Sequence, residues 1–418
     1  DWFDGGIWLN MHKHDFLPTN PGLNGAWNDI YGGVNQCNTL LDTDLDPNSE
    51  AQLRVLRAYY FWKLMDLFGN IKTPLTTKEP GNDVAQSTSA ETFDLIESEI
   101  LAVVDDLGRG RAAYGRISQG AAYALLARLY LNAEVYTGTA RWQDAIDAAD
   151  MVINSGVYAL DDSYQEGPDG RMVSSVFTPD NVDNIEHILV APFDEATGGG
   201  MNIAQMTLHY PSQLTYDLQQ QPWNGYSTLE EFYDSYEDTD MRKEAYFIAG
   251  PQTDVNGNPI LDVAFDKADE DGPAINYTPE INELAPNGSR QAGARLGKFS
   301  FKLGQLPDMD NDFTLLRYAD VLLMKAEALG RLNGWGDADA LTLVNQVRTR
   351  AGVTPYSTMD ENSFFAERGR EMFQESIRRT DLIRFGRWGN AWWEKNAHSD
   401  AYKNIMPMYI LSRKAINV

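Results

Sequence analysis

Tyr318-Ala319-Asp320-Val321-Leu322-Leu323-Met324-Lys325-Ala326-Glu327-Ala328, followed by Trp335-Gly336-Asp337-Ala338, is the stretch whose reading decides the fold. Its grammar occurs earlier as well: Tyr123-Ala124-Leu125-Leu126 opens a helix, and Trp142-Gln143-Asp144-Ala145 begins the next. In both copies an Ala-rich helix, a short Gly-bearing turn and a Trp-x-Asp-Ala start follow one another. Small residues at 121, 124 and 127, and at 319, 326 and 328, let neighbouring helices approach closely. Tetratricopeptide-type helix pairs stack in this way, with about 34 residues per pair. The expectation is a mostly α chain built on a tetratricopeptide-like helix-pair scaffold. An ordinary helical bundle has the same periodicity and is the alternative.

Working outward, Trp27, Ile30, Tyr31, Val34, Cys37, Asn38 and Leu41 form one stripe of a helix over 24–41. Asp46-Pro47-Asn48-Ser49 supplies capping residues for a second helix, which stops at Gly69-Asn70 before an extended Lys72-Thr73-Pro74. The pattern predicts further helices over 92–107 and 118–136. From 156 to about 312 the chain turns rich in Gly, Pro, Asn, Asp and aromatics. Only short apolar runs occur there (His187 to Ala191, Tyr246 to Ile248), with one short helix over 228–236. A long irregular stretch inside an ordered protein is usually functional. The expected organisation is an N-terminal helical part (1–155) with a ligand loop at 1–23, a loop-rich ligand-binding insertion (156–312) and a C-terminal helical part (313–418), all one unit.

The 418 residues carry 34 Lys+Arg against 61 Asp+Glu, a net charge of −27. That balance argues against nucleic acid as a partner, which needs basic patches. Cys37 is the only cysteine, so no intrachain disulfide or multi-cysteine metal site is expected. No stretch approaches the roughly 20 apolar residues of a membrane helix. The opening Asp1-Trp2-Phe3-Asp4-Gly5-Gly6 has neither the basic start nor the apolar core of a secretory signal, so a truncated or processed chain is expected.

Several segments then resemble the SusD/RagB family of outer-membrane nutrient-binding lipoproteins of Bacteroidetes. They are Arg57-Ala58-Tyr59-Tyr60-Phe61-Trp62 with Asp66-Leu67-Phe68-Gly69-Asn70-Ile71; Gly115-Arg116-Ile117-Ser118 leading into 121–131; the 315–328 stretch; Asn345 to Gly352; Glu367-Arg368-Gly369-Arg370-Glu371; and Asp381-Leu382-Ile383-Arg384-Phe385-Gly386. Their order along the chain matches the family's. Met406-Pro407-Met408 keeps one proline where the family usually has two, and the lipidated cysteine is absent from these residues. The resemblance implies a SusD-like fold and a non-catalytic protein on the extracellular face of the outer membrane, held by an upstream lipid anchor. It would capture oligosaccharides for a SusC-like TonB-dependent transporter. In some relatives the cargo is peptide, and a RagB-like peptide receptor of the same architecture is the alternative. The matching motifs mark scaffold and partner surface.

Sugar recognition has a physical signature: flat aromatic faces over C–H groups, flanked by polar side chains for the hydroxyls. Trp27, Trp62, Trp142, Trp335 and Trp388 fall on helical patterns and read as packing. Aromatics on irregular segments are the candidates. One group is Trp8, Asn10, His12 and His14, in a region where the resemblance places ligand-contact loops. A second is Trp223, Asn224 and Tyr226, ahead of Asp240-Met241-Arg242, which is similar to a family motif. A third is Tyr277 and Arg290, in the loop before the Arg317 helix. Each aromatic could instead plug the gap between loops and scaffold. No cofactor is expected. His12 and His14 lack further metal ligands at a recognised spacing. Asp308-Met309-Asp310-Asn311-Asp312 imitates a calcium loop, with Phe313 where the sharp-turn Gly belongs, and leaves a looser structural calcium site open. The acidic run 266–271 reads as a solvated loop. Gly-x-Ser-x-Gly, His-Glu-x-x-His and a Gly-rich phosphate loop are all missing. Two carboxylates suffice for a glycosidase, so only the resemblance speaks against hydrolysis.

Overall fold

The computed structural model describes residues 6–79, 83–111, 113–197, 199–262, 272–285 and 287–407. The acidic run 266–271 and Met408 therefore lie outside the described residues. Helices dominate both ends. After α1 (Ile7–His12) come α2 (Pro21–Leu41), α3 (Pro47–Phe68), α4 (Ser89–Leu101), α5 (Gln119–Leu131), α6 (Ala133–Thr137) and α7 (Trp142–Ile153). The middle holds only short helices: α8 (Ile203–Thr207), α9 (Gln213–Tyr216), α10 (Glu230–Asp234) and α11 (Met241–Tyr246). Long helices return with α12 (Tyr318–Asn333), α13 (Ala338–Arg350), α14 (Glu361–Glu371) and α15 (Arg378–Arg384). Ten strands of two to five residues pair two by two. They are β1 (Ile71–Lys72), β2 (Gln86–Ser87), β3 (Tyr164–Glu166), β4 (Met172–Ser174), β5 (His187–Ala191), β6 (Phe247–Ile248), β7 (Gly250–Pro251), β8 (Asn276–Tyr277), β9 (Arg295–Leu296) and β10 (Phe313–Arg317). The chain is mostly α, as its periodicity predicts.

Local chemistry sets the helix ends. Asp46 accepts from the Ser49 N–H and Pro47 takes the first turn of α3, which ends at Gly69 with φ +70°. The helix predicted over 92–107 starts earlier, as α4 at Ser89, because Thr88 and Glu91 form a reciprocal capping box. It stops at Leu101, and Val104–Asp106 tightens into a 3₁₀ turn. The predicted helix over 118–136 is broken at Asn132, whose side-chain amide donates to Arg128 O, so α5 and α6 are separate. The two repeat copies also differ. Trp142 opens α7, whereas Trp335 precedes α13, which starts after Asp337 accepts from the Asp339 and Ala340 N–H groups. The helix predicted over 228–236 shrinks to the five residues of α10.

The chain packs into two compact units. One comprises Lys13–Tyr158, Leu316–Leu343 and Ile377–Val418. Within it α2 packs on α3, α3 on α4, α5 on α7, and α12 on both α7 and α5. Ala121, Ala124 and Ala127 are sealed in these contacts, as their small size predicts. The repeat tryptophans share one cation: the Arg331 guanidinium lies 5.0 Å from the Trp142 ring and 6.0 Å from Trp335, and 4.5 Å from Phe385. Trp27 and Trp62 are buried as expected, but Trp142, Trp335 and Trp388 are only half-buried.

Most of this unit's motif charges meet each other. Arg128 contacts Asp320 at 2.5 Å. Arg384 holds both Glu327 oxygens at 2.7 Å, Asp381 at 2.7 Å and Asn132 at 2.8 Å. Arg379 reaches Asp66 at 2.8 Å, and Arg57 bonds Asn38 and Glu99. A buried charge persists only when paired and hydrogen-bonded, which explains these residue types at these positions.

The other unit comprises Asp1–His12, Ala159–Leu315 and Val344–Ser376. Its core is aromatic and aliphatic, centred on Phe177, Tyr216, Tyr246, Phe247, Phe299 and Phe301. β6 pairs antiparallel with β9, and β7 with β8. His187 of β5 faces the Thr314 hydroxyl at 3.3 Å. Here too the motif charges turn inward. Arg242 binds Asp240 (2.8 Å), Glu367 (2.8 Å) and Glu371 (2.9 Å), and Arg348 binds Glu367 at 2.7 Å. Burial raises the Glu367 carboxyl, but Arg242 and Arg370 outweigh it and bring it down to about 2. These motif residues are buried and serve as scaffold.

Candidate functional site

In the second unit the loop around Trp223 is pinned to the backbone of residues 205–208. The N–H groups of Trp223, Asn224 and Tyr226 donate to Gln205 O (2.7 Å), Leu208 O (2.9 Å) and Met206 O (2.7 Å). Asn224 adopts φ +56°, a left-handed conformation that Asn tolerates better than most residues. The backbone is thus fixed while the Trp223 side chain stays 44% exposed. Tyr226, half-buried, meets the half-buried Trp8 of α1 with ring centroids 5.8 Å apart and planes at 56°. Asn10 and His12, on the same short helix, are also half-buried. Among the described residues, Oδ1 of Asn224 is buried without a hydrogen-bond partner. A lone buried acceptor calls for a donor from outside the protein, of the kind a water or a ligand hydroxyl supplies.

The segment that anchors this loop runs directly into a buried polar cluster. His209 Nε2 lies 2.9 Å from Asp262 Oδ1, which also takes the Arg290 Nε at 3.0 Å, while Gln291 donates to Oδ2 at 3.1 Å. Burial lowers the His209 pKa to about 4, and the nearby Arg295 and Arg290 charges add to that against the pull of Asp262. Burial alone would raise Asp262, but hydrogen bonds from Gln291 and Arg290 leave it below its usual range. The Arg295 guanidinium lies 4.8 Å from the Tyr277 ring centroid, and burial lowers its pKa.

Three sequence candidates change role in this geometry. Tyr277 is 1% exposed, and its hydroxyl accepts from His209 N–H (2.8 Å) and bonds Ser212 (2.7 Å), so the ring is core and not a contact surface. Arg290 is half-exposed, yet its Nε is engaged by Asp262. His14 belongs to the first unit and is 1% exposed; its ring lies 3.8 Å from Trp388 and its Nδ1 is 2.9 Å from His398 Nε2. The calcium-like stretch is committed elsewhere as well. Asp310 pairs with Lys302 and accepts from Glu195 N–H, Asp312 accepts from Phe193 N–H, and Asn311 donates to Phe177 O and Ser300 O. Among the described residues no group of three or more His, Cys, Asp or Glu side chains is placed to hold a metal.

Sequence reading missed His209, Asp262 and Gln291, and also the half-buried Tyr210 beside them. The run His209-Tyr210-Pro211-Ser212 carried the signal: an aromatic ahead of a proline in an irregular segment, with a polar residue on each side. What the unit presents is a rigidly mounted, exposed indole beside a second aromatic pair and an unanswered amide oxygen.

Known proteins resemble this chain over most of its length. The SusD family is matched by residues 185–412, and a family described as starch-binding, associating with outer membrane, by residues 4–131. The starch-binding protein SusD of Bacteroides thetaiotaomicron is 28% identical over 393 aligned residues, covering 84% of this chain and 68% of that protein. Among solved structures, surface glycan-binding protein A of Bacteroides thetaiotaomicron, in complex with laminarihexaose, has a TM-score of 0.75 at 22% identity, covering 100% of this chain and 89% of its own. A SusD-like carbohydrate-binding protein of Bacteroides fragilis gives 0.76 at 18%, covering 98% and 88%. At these identities the structural likeness speaks for the fold.

Proposed function

The chain belongs to the SusD family, and from that premise we propose that it is a non-catalytic receptor binding oligosaccharides at the outer face of the outer membrane. It holds them for a SusC-like TonB-dependent transporter and is tethered through a lipid anchor upstream of these residues. The observation that carries this reading is Trp223: an indole 44% exposed on a loop whose backbone is fixed by three hydrogen bonds. Exposing so large an apolar ring is unfavourable in solution, and a sugar's C–H face is a natural cover for it. Tyr226 and Trp8 extend the aromatic surface, and Asn10 and Asn224 bring amide groups suited to hydroxyls. Among the described residues, Asn10 makes no side-chain hydrogen bond that would compete. The naming of the matched relatives as binding proteins supports the non-catalytic role. The net charge of −27 favours a neutral or locally recognised cargo over nucleic acid.

Isothermal titration against a panel of neutral oligosaccharides tests this. Trp223→Ala should weaken binding of the preferred glycan by about 1–3 kcal/mol with the melting temperature unchanged. Ligand recovered after long incubation should be of its original length. Unchanged affinity in the variant, or capture of mixed peptides in place of glycans, would overturn the reading.

A further inference from the structure

The helical unit holds a cavity that shares no residue with the Trp223 site. Its volume is about 340 Å³, and its walls include Trp388, Asn390, His398, Ser399, Asp400 and Asn404. That size lies at the small end of ligand pockets, which run about 300–1,000 Å³. That volume is of the order one sugar ring with its hydration requires.

The walls are built rather than incidental. Two turns face each other: His398 N–H donates to Gly389 O at 2.8 Å, and Trp388 Nε1–H to Lys403 O at 3.0 Å. Lys395 Nζ ties down Asn390 O at 2.7 Å. At Gly389 a Cβ would lie 2.1 Å from His398 O, so the approach of these segments requires glycine. Behind the cavity the buried His14 bonds His398 and lies against Trp388, fixing both from the rear. The lining is therefore preorganised.

Its chemistry is that of hydroxyl recognition. Asn390 and Asn404 each offer an amide donor and acceptor, Ser399 a hydroxyl and Asp400 a carboxylate. Among the described residues, the side chains of Asn390, Ser399 and Asn404 make no hydrogen bond within the protein. The two lysines nearby are occupied: Lys395 by backbone oxygens, and Lys403 by Asp400 and Asp15 at 3.9 and 3.8 Å. Ile383, Trp388 and Ala401 supply an apolar half to the lining, which suits the C–H faces of a sugar beside its hydroxyls. A carboxylate in the wall disfavours an anion, and the polar half of the lining disfavours a lipid or hydrocarbon. We propose that this cavity is a second binding site, for a single neutral sugar ring or the terminal ring of a longer glycan. It stands on this cavity alone, so it holds or fails separately from the Trp223 site.

His398 is one of five histidines, which makes its imidazole a resolvable NMR probe. Glucose, galactose and mannose are each titrated at millimolar levels into the full chain, and imidazole shifts are followed. At least one hexose should move the His398 signals saturably. Asn390→Ala and Asp400→Asn should each weaken that response about fivefold or more. Ser399→Trp, which fills the cavity, should abolish it, while Trp223→Ala should leave it intact. Melting curves of the three cavity variants separate lost binding from lost fold. His398 signals unmoved by all three hexoses, or moved equally in folded Ser399→Trp, would overturn the proposal. So would a response lost with Trp223→Ala alone, which would trace the shifts to the other site.

Discussion

Trp8 and Tyr226 meet ring to ring, 5.8 Å between centroids and 56° between planes, although 218 positions separate them in the chain. One ring comes from a six-residue helix and the other from a loop pinned by main-chain bonds. Each limits where the other can go. If the pair forms part of the sugar surface, Trp8→Ala should weaken oligosaccharide binding about tenfold, and the double variant with Tyr226→Ala should be non-additive by about 0.5–1.5 kcal/mol. Titration of the four proteins in a double-mutant cycle measures it. Strict additivity would show that the rings act separately.

His209 makes stability depend on pH in a defined window. The folded imidazole titrates near 4, whereas a free one titrates near 6.5. The unfolded chain therefore binds a proton first as pH falls, and stability present above about 6.5 declines down to about 4, then levels off for this group. The loss amounts to about 3 kcal/mol. Urea midpoints at pH 7.5, 6, 5 and 4 should drop across that window, roughly. His209→Gln keeps a donor for Asp262 without a titration and should flatten most of that decline. Carboxylates such as Glu367, lowered to about 2, add their own loss below about 4.5, which the variant should retain.

Gly330 lies inside α12, where alanine would ordinarily be preferred by about 1 kcal/mol. Here a Cβ would sit 2.6 Å from Trp335 Cε3. The indole is itself held against Arg331, so it cannot turn aside freely. The clash outweighs the propensity, and Gly330→Ala should destabilise by about 1–2 kcal/mol. A denaturant melt giving a more stable variant would show that Trp335 is free to move.

Glu327 holds two guanidiniums, Arg384 and Arg331, with no exposed surface. Glu327→Gln keeps the shape but takes the counter-charge from both guanidiniums, of which only Arg384 keeps an answer in Asp381. The expected loss is about 3 kcal/mol by chemical denaturation. A change within half a kcal/mol would make this pair dispensable.

The helical scaffold was legible because its periodicity, alanines and caps are local signals. Asp46 and Gly69 set helix ends where their chemistry demanded, whereas the Thr88 cap, four residues ahead of the expected start, went unread. Helix interruptions were less so: the break at Asn132 depends on a side chain bonding its own helix, which no apolar stripe records. Trp223 was readable as a loop aromatic, and the structure exposes it. Tyr277 looked equivalent in sequence, but strand pairing of β8 and the Ser212 and His209 contacts draw it inside. Whether a loop ring faces water or core is decided by partners far along the chain. His14 shows the same point, since its contacts at Trp388 and His398 lie more than 370 positions away.

The interleaving of the two units along the chain bears on how the molecule is made. Asp66 meets Arg379, and Asn132 and Glu327 meet Arg384, so polar groups from position 66 onward find these partners only at residues 379–384. A nascent polypeptide emerging from the ribosome cannot close the helical frame until residues 379–384 are free. A product terminated before residue 379 should thus lack a finished frame altogether, and quality control would meet an open chain.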